Sequence, residues 1–194
     1  MDLRVTQYGE TVLRQVGEPV ETFDFYLRQL ADDMIDAMHR HEGAGLAAQQ
    51  VGKALQMFVM DIGRDLEQVP FDYHFDSRVL PLNLIMPMVV CNPRIEPLHA
   101  DEKESEEGCL SFPGLSLKNI WRKEAIKMDF RDVDGHPHTL ECDGFLARCC
   151  QHEYDHLQGV LFIDRASKDE VRRYQSYLKK LKRSSRDLNA GSSE

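Results

Sequence analysis

One pentapeptide, His152-Glu153-Tyr154-Asp155-His156, constrains the fold of this chain more than any other stretch. It lies in a segment that reads as a helix from Gly144 to Gln158, with Asp143 placed to cap its start and Gly159 to end it. Residues four apart lie on one face of a helix, about one turn from each other. Two imidazoles so placed can share one divalent metal ion, and Glu153 follows the first as a base for a metal-bound water. The plain alternative is a surface helix with two chance histidines. Leu146, Cys149, Glu153 and Leu157 fall on one stripe of the same helix. That stripe calls for a partner surface, so the histidine face is expected to be partly buried and the rest of the chain to wrap around it.

A catalytic divalent metal usually has three protein ligands and one open position. The candidates for the third are Cys109, Cys91, Glu107, His99, His136 and His138. Cys109 stands in Glu106-Glu107-Gly108-Cys109-Leu110-Ser111, where a cysteine after a glycine can present both a thiolate and free backbone N–H groups. The commonest fate of a free cysteine is that of a small buried hydrophobe. A third segment, Gly43 to Gly52, is dense in small residues, which allow close backbone approach. Its glycine spacing is incomplete for a dinucleotide loop and no strand precedes it, leaving a helix-to-strand turn or a ligand-facing loop. The Gln50 amide beyond it could donate a hydrogen bond to an oxyanion.

The surrounding pattern is α+β. Leu27, Leu30, Ala31, Met34 and Met38 predict a helix over 25–41. Gln56 to Asp61 and Met88 to Asn92 suit short buried strands, and Arg64 to Pro87 between them is a long irregular stretch with three prolines. Ile126 to Phe130 alternates as a half-buried strand does, Asp134-Gly135 is a hairpin turn, and His138 to Cys142 returns. Asp169 to about Arg183 reads as one amphipathic helix, apolar at Val171, Tyr174, Leu178 and Leu181 and basic elsewhere. The tail from Asn189 to Glu194 is expected to be disordered. The expected architecture is antiparallel or mixed sheet around a central metal-binding helix, plus a C-terminal helix. Residues 1–167 would form the catalytic domain and 168–194 a basic amphipathic helix and tail.

Composition narrows the function. A net charge of -9 argues against a general nucleic-acid binder. No apolar run approaches a membrane span. The start from Met1 to Thr6 has neither a signal-peptide core nor an Arg/Ser-rich transit character, so a cytoplasmic protein is expected. An odd count of five cysteines, in that setting, points to reduced thiols or a metal ligand rather than a disulfide scaffold.

Taken in order, Gly43 to Gln50 (G-x-G-x-A-A-x-Q), Glu107 to Ser111 (E-G-C-L-S) and Gln151 to His156 (Q-H-E-x-D-H) resemble the three motifs of the peptide deformylase family. The likeness runs from Val12-Leu13-Arg14 through Cys91-Asn92-Pro93 to Gly159-Val160-Leu161-Phe162, nearly the whole chain. Gln49 departs from the usual proline or threonine, and the Arg64–Pro87 segment is longer than in compact members. The resemblance implies that Cys109, His152 and His156 bind the metal. It implies that a metal-bound water attacks the formyl carbonyl of an N-formyl-methionyl nascent peptide and releases formate. Gln50 and the Leu110 backbone N–H would receive the developing negative charge. Glu153 would carry the proton from water to the leaving amine. Ala44, Gly45, Phe145 and Cys149 would line the substrate site. Ferrous iron is the metal it implies, with zinc, nickel or cobalt as substitutes.

Two rivals stand beside this reading. A zincin-like metallopeptidase uses the same helix but takes its third ligand downstream, where this chain has no His or Cys, only Asp164 and Glu170. A non-catalytic metal-stabilised module would have no reason to keep Glu153 and Gln50 beside an open coordination position. The basic terminal helix, with Arg172, Arg173, Lys179, Lys180, Lys182 and Arg183, resembles the ribosome-docking helix of bacterial members. Its plain alternative is a solvated face, paired with the acidic segment from Asp101 to Glu107.

Overall fold

The computed structural model of the chain describes residues 3–63 and 71–190. Helix α1 (Phe25–Arg40) begins where the Asp24 side chain accepts a hydrogen bond from Leu27 N at 3.0 Å. It buries Leu27, Ala31, Met34, Ala37 and Met38, the helical spacing anticipated for it. Eight strands follow along the chain: β1 (Gly45–Ala47), β2 (Met57–Met60), β3 (Tyr73–Phe75), β4 (Met88–Pro97), β5 (Glu102–Gly108), β6 (Ser116–Lys123), β7 (Ala125–Arg131) and β8 (Pro137–Asp143). Six form one sheet in the order β1-β2-β4-β7-β8-β3, and β5 pairs with β6 alone. Each of these pairings is antiparallel.

Helix α2 (Gly144–Leu157) carries the pentapeptide. The period of two along β2 divides its four buried residues between two cores. Phe58 and Met60 pack with Val90, Met128, Leu146, Ala147, Cys150 and Leu157 on the α2 side. Met57 and Val59 pack with Cys91, Ala31, Met34 and Met38 on the α1 side. A third cluster joins Leu117 and Ile120 of β6 to Phe112, Leu13, Phe162 and Leu178. Fully burying one such large apolar side chain contributes roughly 1.5–3 kcal/mol, so α2 is clamped between sheet and hairpin.

Gly159 ends α2 at φ +68°, where a Cβ would lie 2.7 Å from the Arg14 carbonyl oxygen. Asp143 occupies the N-cap position, but its side chain does not cap. It accepts instead from Asp72 N at 2.6 Å, tying the strand before it to the helix start. That contact belongs to the stretch expected to be irregular, which holds β3 against β8 and a short 3-10 turn at Leu82–Leu84. Residues 64–70 of that stretch lie outside the described residues.

Three further differences have local causes. The acidic run before Cys109, offered above as a partner for the basic helix, is strand β5, held by cross-strand ion pairs from β6: Lys123 to Glu102 at 2.9 Å and Arg122 to Glu107 at 2.5 Å. Glu102, Glu106 and Glu107 find partners on β6, and among the described residues no ion pair joins them to the C-terminal basic residues. Beyond α3 (Phe162–Arg165), the terminal helix is two: α4 (Lys168–Arg173), capped by Ser167, and α5 (Gln175–Ala190), with the chain tightening at Tyr174. Finally, α5 extends through Asn189 and Ala190, expected to be tail, while 191–194 lie outside the described residues.

Candidate metal centre and active site

One turn of α2 sets His152 and His156 side by side, their ring centroids 5.1 Å apart. The chain leaving β5 delivers Cys109 opposite them, with Cys109 Sγ 3.3 Å from His156 Nε2. One ligand atom from each of the three residues lies within 4.8 Å of the others. His156 is 1% exposed and its Nδ1 has no hydrogen-bond partner. Burial, with His152 beside it, holds His156 below the ordinary histidine range, in the neutral form that a ligand needs. Burial works against charge on His152 too, yet bonds to Cys109 and Glu107 prevail and raise it to about 10. The anionic surround thus favours positive charge at this point. One thiol and two imidazoles, with an outer bond on His152, fit a borderline-soft divalent ion.

Glu153 follows His152 on the same turn. It is 5% exposed, and its Oε2 has no hydrogen-bond partner. Burial raises its pKa to about 7, against the pull of His152 and Arg122. The second glycine of the Gly43–Gly45 segment makes room for it, since a Cβ on Gly45 would lie 2.5 Å from Glu153 Oε1. Gln50, 1% exposed, has its amide orientation set by its own backbone: Ala47 N donates to Oε1 at 2.8 Å. That turns Nε2 toward Cys109 Sγ and Ser111 Oγ, each 3.4 Å away.

These groups line a cavity of about 450 Å³. Of the residues anticipated from sequence, Ala44, Gly45, Gln50, Cys109, Leu110, Phe145, Cys149, His152 and Glu153 all line it. His156 sits behind the wall, in contact with Cys109. The other ligand candidates are elsewhere. Cys91 is fully buried in the α1 core, His99 pairs with Asp101, and His136 and His138 bond to Asp132 at the β7–β8 turn. Asp164 and Glu170, the downstream carboxylates, pair with Arg14 and Arg173. Gln49 is fully buried with both amide atoms unpartnered, and no described contact explains that choice of residue.

Sequence reasoning missed two features. Arg148, with its guanidinium carbon 5.8 Å from the centroid of the Phe145 ring, lines the cavity alongside Glu42 and Glu106. Its position one turn before His152 was the available signal. The second is a buried charge chain behind the histidines. His152 Nδ1 donates to Glu107 Oε2 at 3.0 Å, and Arg122 bonds both Glu107 oxygens and Asp155. Burial would raise the pKa of Glu107, but Arg122 and His152 hold it at about 2. Nothing in spacing alone joins Glu107 to Arg122, because β5 and β6 had not been recognised as a hairpin.

The chain is similar to known proteins along most of its length. The family model of polypeptide deformylase matches residues 2–172. A peptide deformylase of Opitutus terrae is 48% identical over 169 residues, covering 87% of this chain and 86% of the relative. One from Methylacidiphilum infernorum is 38% identical over 184 residues, 94% of each. Among solved structures, a peptide deformylase from Synechococcus elongatus in complex with actinonin aligns at TM-score 0.75 and 38% identity, covering 92% of this chain and 87% of its own. A plant peptide deformylase aligns at TM-score 0.82 and 30% identity, covering 97% and 93%. With the glycine segment, the cysteine turn and the histidine helix gathered around one cavity, and likeness along nearly all its length, the chain belongs to the polypeptide deformylase family.

Proposed function

We propose that Cys109, His152 and His156 hold the metal of this enzyme, that Glu153 moves the proton, and that Gln50 and the Leu110 backbone N–H receive the charge on the formyl oxygen. The chain is a metal-dependent hydrolase that removes the N-formyl group from the N-terminal methionine of nascent polypeptides, releasing formate. The observation that carries the residue assignment is the convergence of three ligand atoms within 4.8 Å beside a buried carboxylate with one oxygen unpartnered. A divalent ion in this set would act as a Lewis acid and lower the pKa of water at its open position. Ferrous iron is our choice for the native ion, with zinc, nickel or cobalt able to replace it, since a thiolate with imidazoles suits all four.

The chain's own groups divide the remaining work. Glu153 accepts a proton from water and passes it to the departing amine, which leaves poorly without one. Gln50 is pre-aimed by Ala47 N, so its amide needs no reorganisation as charge develops. Ala44, Gly45, Phe145 and Cys149 are assigned to the methionine side chain, in a cavity of suitable size. The test is turnover of a formyl-Met peptide beside its unformylated and acetylated versions. Release of formate from the first alone is expected. Cleavage of internal peptide bonds instead would favour a zincin-like metallopeptidase, whose downstream ligand has no support in the pairing of Asp164 and Glu170.

We place the reaction in the cytoplasm, where nascent formylated chains occur. No helix of the described residues is long and apolar enough to cross a membrane. We also propose that residues 1–167 are the catalytic domain and 168–194 an appended docking element for the ribosome. In support, Arg172, Arg173, Lys179, Lys180, Lys182 and Arg183 are all exposed. Co-sedimentation with ribosomes should fall steeply with salt if phosphates are the partner. Salt-insensitive binding would leave this helix to packing alone, a part it already has through Leu178 and through Ser185 Oγ, which donates to the Tyr8 carbonyl at 2.7 Å.

A further inference from the structure

The charge chain behind His152 does not stop at Arg122. Asp155, one residue before His156, is 4% exposed and is gripped from two sides. Arg122 Nη1 donates to its Oδ2 at 2.8 Å. Arg165 of α3 closes a fork on the same carboxylate, with Nε to Oδ2 at 2.6 Å and Nη2 to Oδ1 at 2.5 Å. From outside to inside the order is Arg165, Asp155, Arg122, Glu107, His152, and each link is a charge-assisted hydrogen bond. Only its outer end meets solvent broadly: the Arg165 side chain is 44% exposed, while those of Asp155, Arg122 and Glu107 are 6%, 3% and 6% and that of His152, at the cavity, is 13%.

In this chain two guanidiniums face two carboxylates, with His152 at the inner end. Removing either arginine leaves a buried negative charge without its full complement, a costly state. Asp155 would then compete with Glu107 for the only guanidinium left. Arg122 cannot move toward Asp155 without loosening its two bonds to Glu107, and Glu107 is what holds His152 Nδ1. The bond at Nδ1 fixes the tautomer and ring orientation that present Nε2 to the cavity.

We infer that Arg165 is a positioning residue for the metal centre: from the protein surface it fixes Asp155 and Arg122, and through them the orientation of His152. The inference rests on the assignment of His152 as a ligand. It explains why α3 follows α2 after so short a connection, since Gly159 turns the chain back and brings Arg165 beside the helix it has just left.

The experiment strips the purified full-length protein of metal and titrates it with cobalt(II) against a competing chelator, reading the visible absorption of the cobalt–thiolate site. Arg165→Met should weaken cobalt affinity by about tenfold, the low end for a partner behind a ligand, and alter the absorption band. Arg165→Lys, which keeps the charge but not the fork, should recover part of the loss. Arg173→Met removes an arginine that pairs with Glu170, away from the charge chain, and should bind cobalt as wild type does. Unchanged affinity and spectrum in Arg165→Met would overturn the inference. Should Arg165→Met not fold, Asp155→Asn reads the same link, and wild-type cobalt binding in that variant would overturn it equally. Cys109→Ala separates the two levels of the argument: cobalt retained there refutes the ligand set itself, whereas cobalt lost there but bound normally by Arg165→Met refutes the positioning role alone.

Discussion

Among the described residues, two places bring histidine together with potential metal ligands at similar range. Cys109, His152 and His156 converge in the cavity, and Asp132, Asp134 and His136 converge at the β7–β8 turn, each set within 4.8 Å. Distance does not tell them apart; prior commitments do. At the turn, Asp132 Oδ1 already accepts from the N–H groups of Asp134 and His136, and Asp134 pairs with Arg28. Asp134 and His136 are also exposed, so water competes for both. In the cavity, the outer nitrogen of His152 is taken by Glu107, which leaves the inner one directed at Cys109 and His156. In the cavity burial and the outer bond on His152 keep the donors facing one another, whereas a solvent-facing turn uses the same residue types to shape the backbone.

The largest effect expected from this contrast is in metal content. Cys109→Ala should reduce metal per chain sharply, while Asp132→Ala, Cys91→Ala and Cys142→Ala leave it unchanged by elemental analysis. Equal loss in Asp132→Ala would erase the distinction. Glu153→Gln should keep its metal and lose at least about a hundredfold in turnover, the low end for general acid–base catalysis. If metal were lost as well, Glu153 would have to be counted among the ligands.

Gln50→Leu should lower kcat by about a hundredfold, as loss of one oxyanion donor does, and change KM less. A change confined to KM would make Gln50 a substrate-positioning group. The smallest effect belongs to the turn. Asp76 and Asp132 raise the His138 pKa above its usual 6.5 through hydrogen bonds that outweigh burial, and both acids fall below their usual 3.8 despite partial burial. The stabilisation from His138 is complete below about pH 6.5 and is lost as pH rises through its folded value; that from the acids is present above about pH 4 and is lost as pH falls. His138→Gln should therefore flatten the pH dependence of the urea midpoint above about pH 6.5, by no more than the roughly 1 kcal/mol of a solvent-accessible ion pair. An unchanged pH profile would remove the His138 contribution.

The helix periodicity of α1 and α2, the alternation of β7 and the Asp134-Gly135 turn were legible because each is a local pattern with a fixed period. So were the catalytic candidates, since ligands four apart on a helix share a face wherever that helix lies. The charged run over β5 was not legible. Six residues from Glu102 to Glu107 include four glutamates, and only Lys118, Arg122 and Lys123 on the neighbouring strand turn that repulsion into pairing. The break at Tyr174 was equally hidden within a continuous amphipathic pattern.

By itself, then, the sequence determined the secondary elements with strong periods, the three motifs and the chemistry they can support. Spacing alone left Cys109 among Cys91, His99, His136 and His138, and only the motif resemblance singled it out; tertiary structure brings it against the two histidines and sets the others elsewhere. It also decided that Asp143 bonds Asp72 instead of capping its helix, and that Glu107, Arg122, Asp155 and Arg165 form one chain behind His152. The physical reason is common to all of these. A period along the chain reports which side of an element is buried, but the partner of a polar group comes from whichever distant segment packs there, and burial makes that partner obligatory.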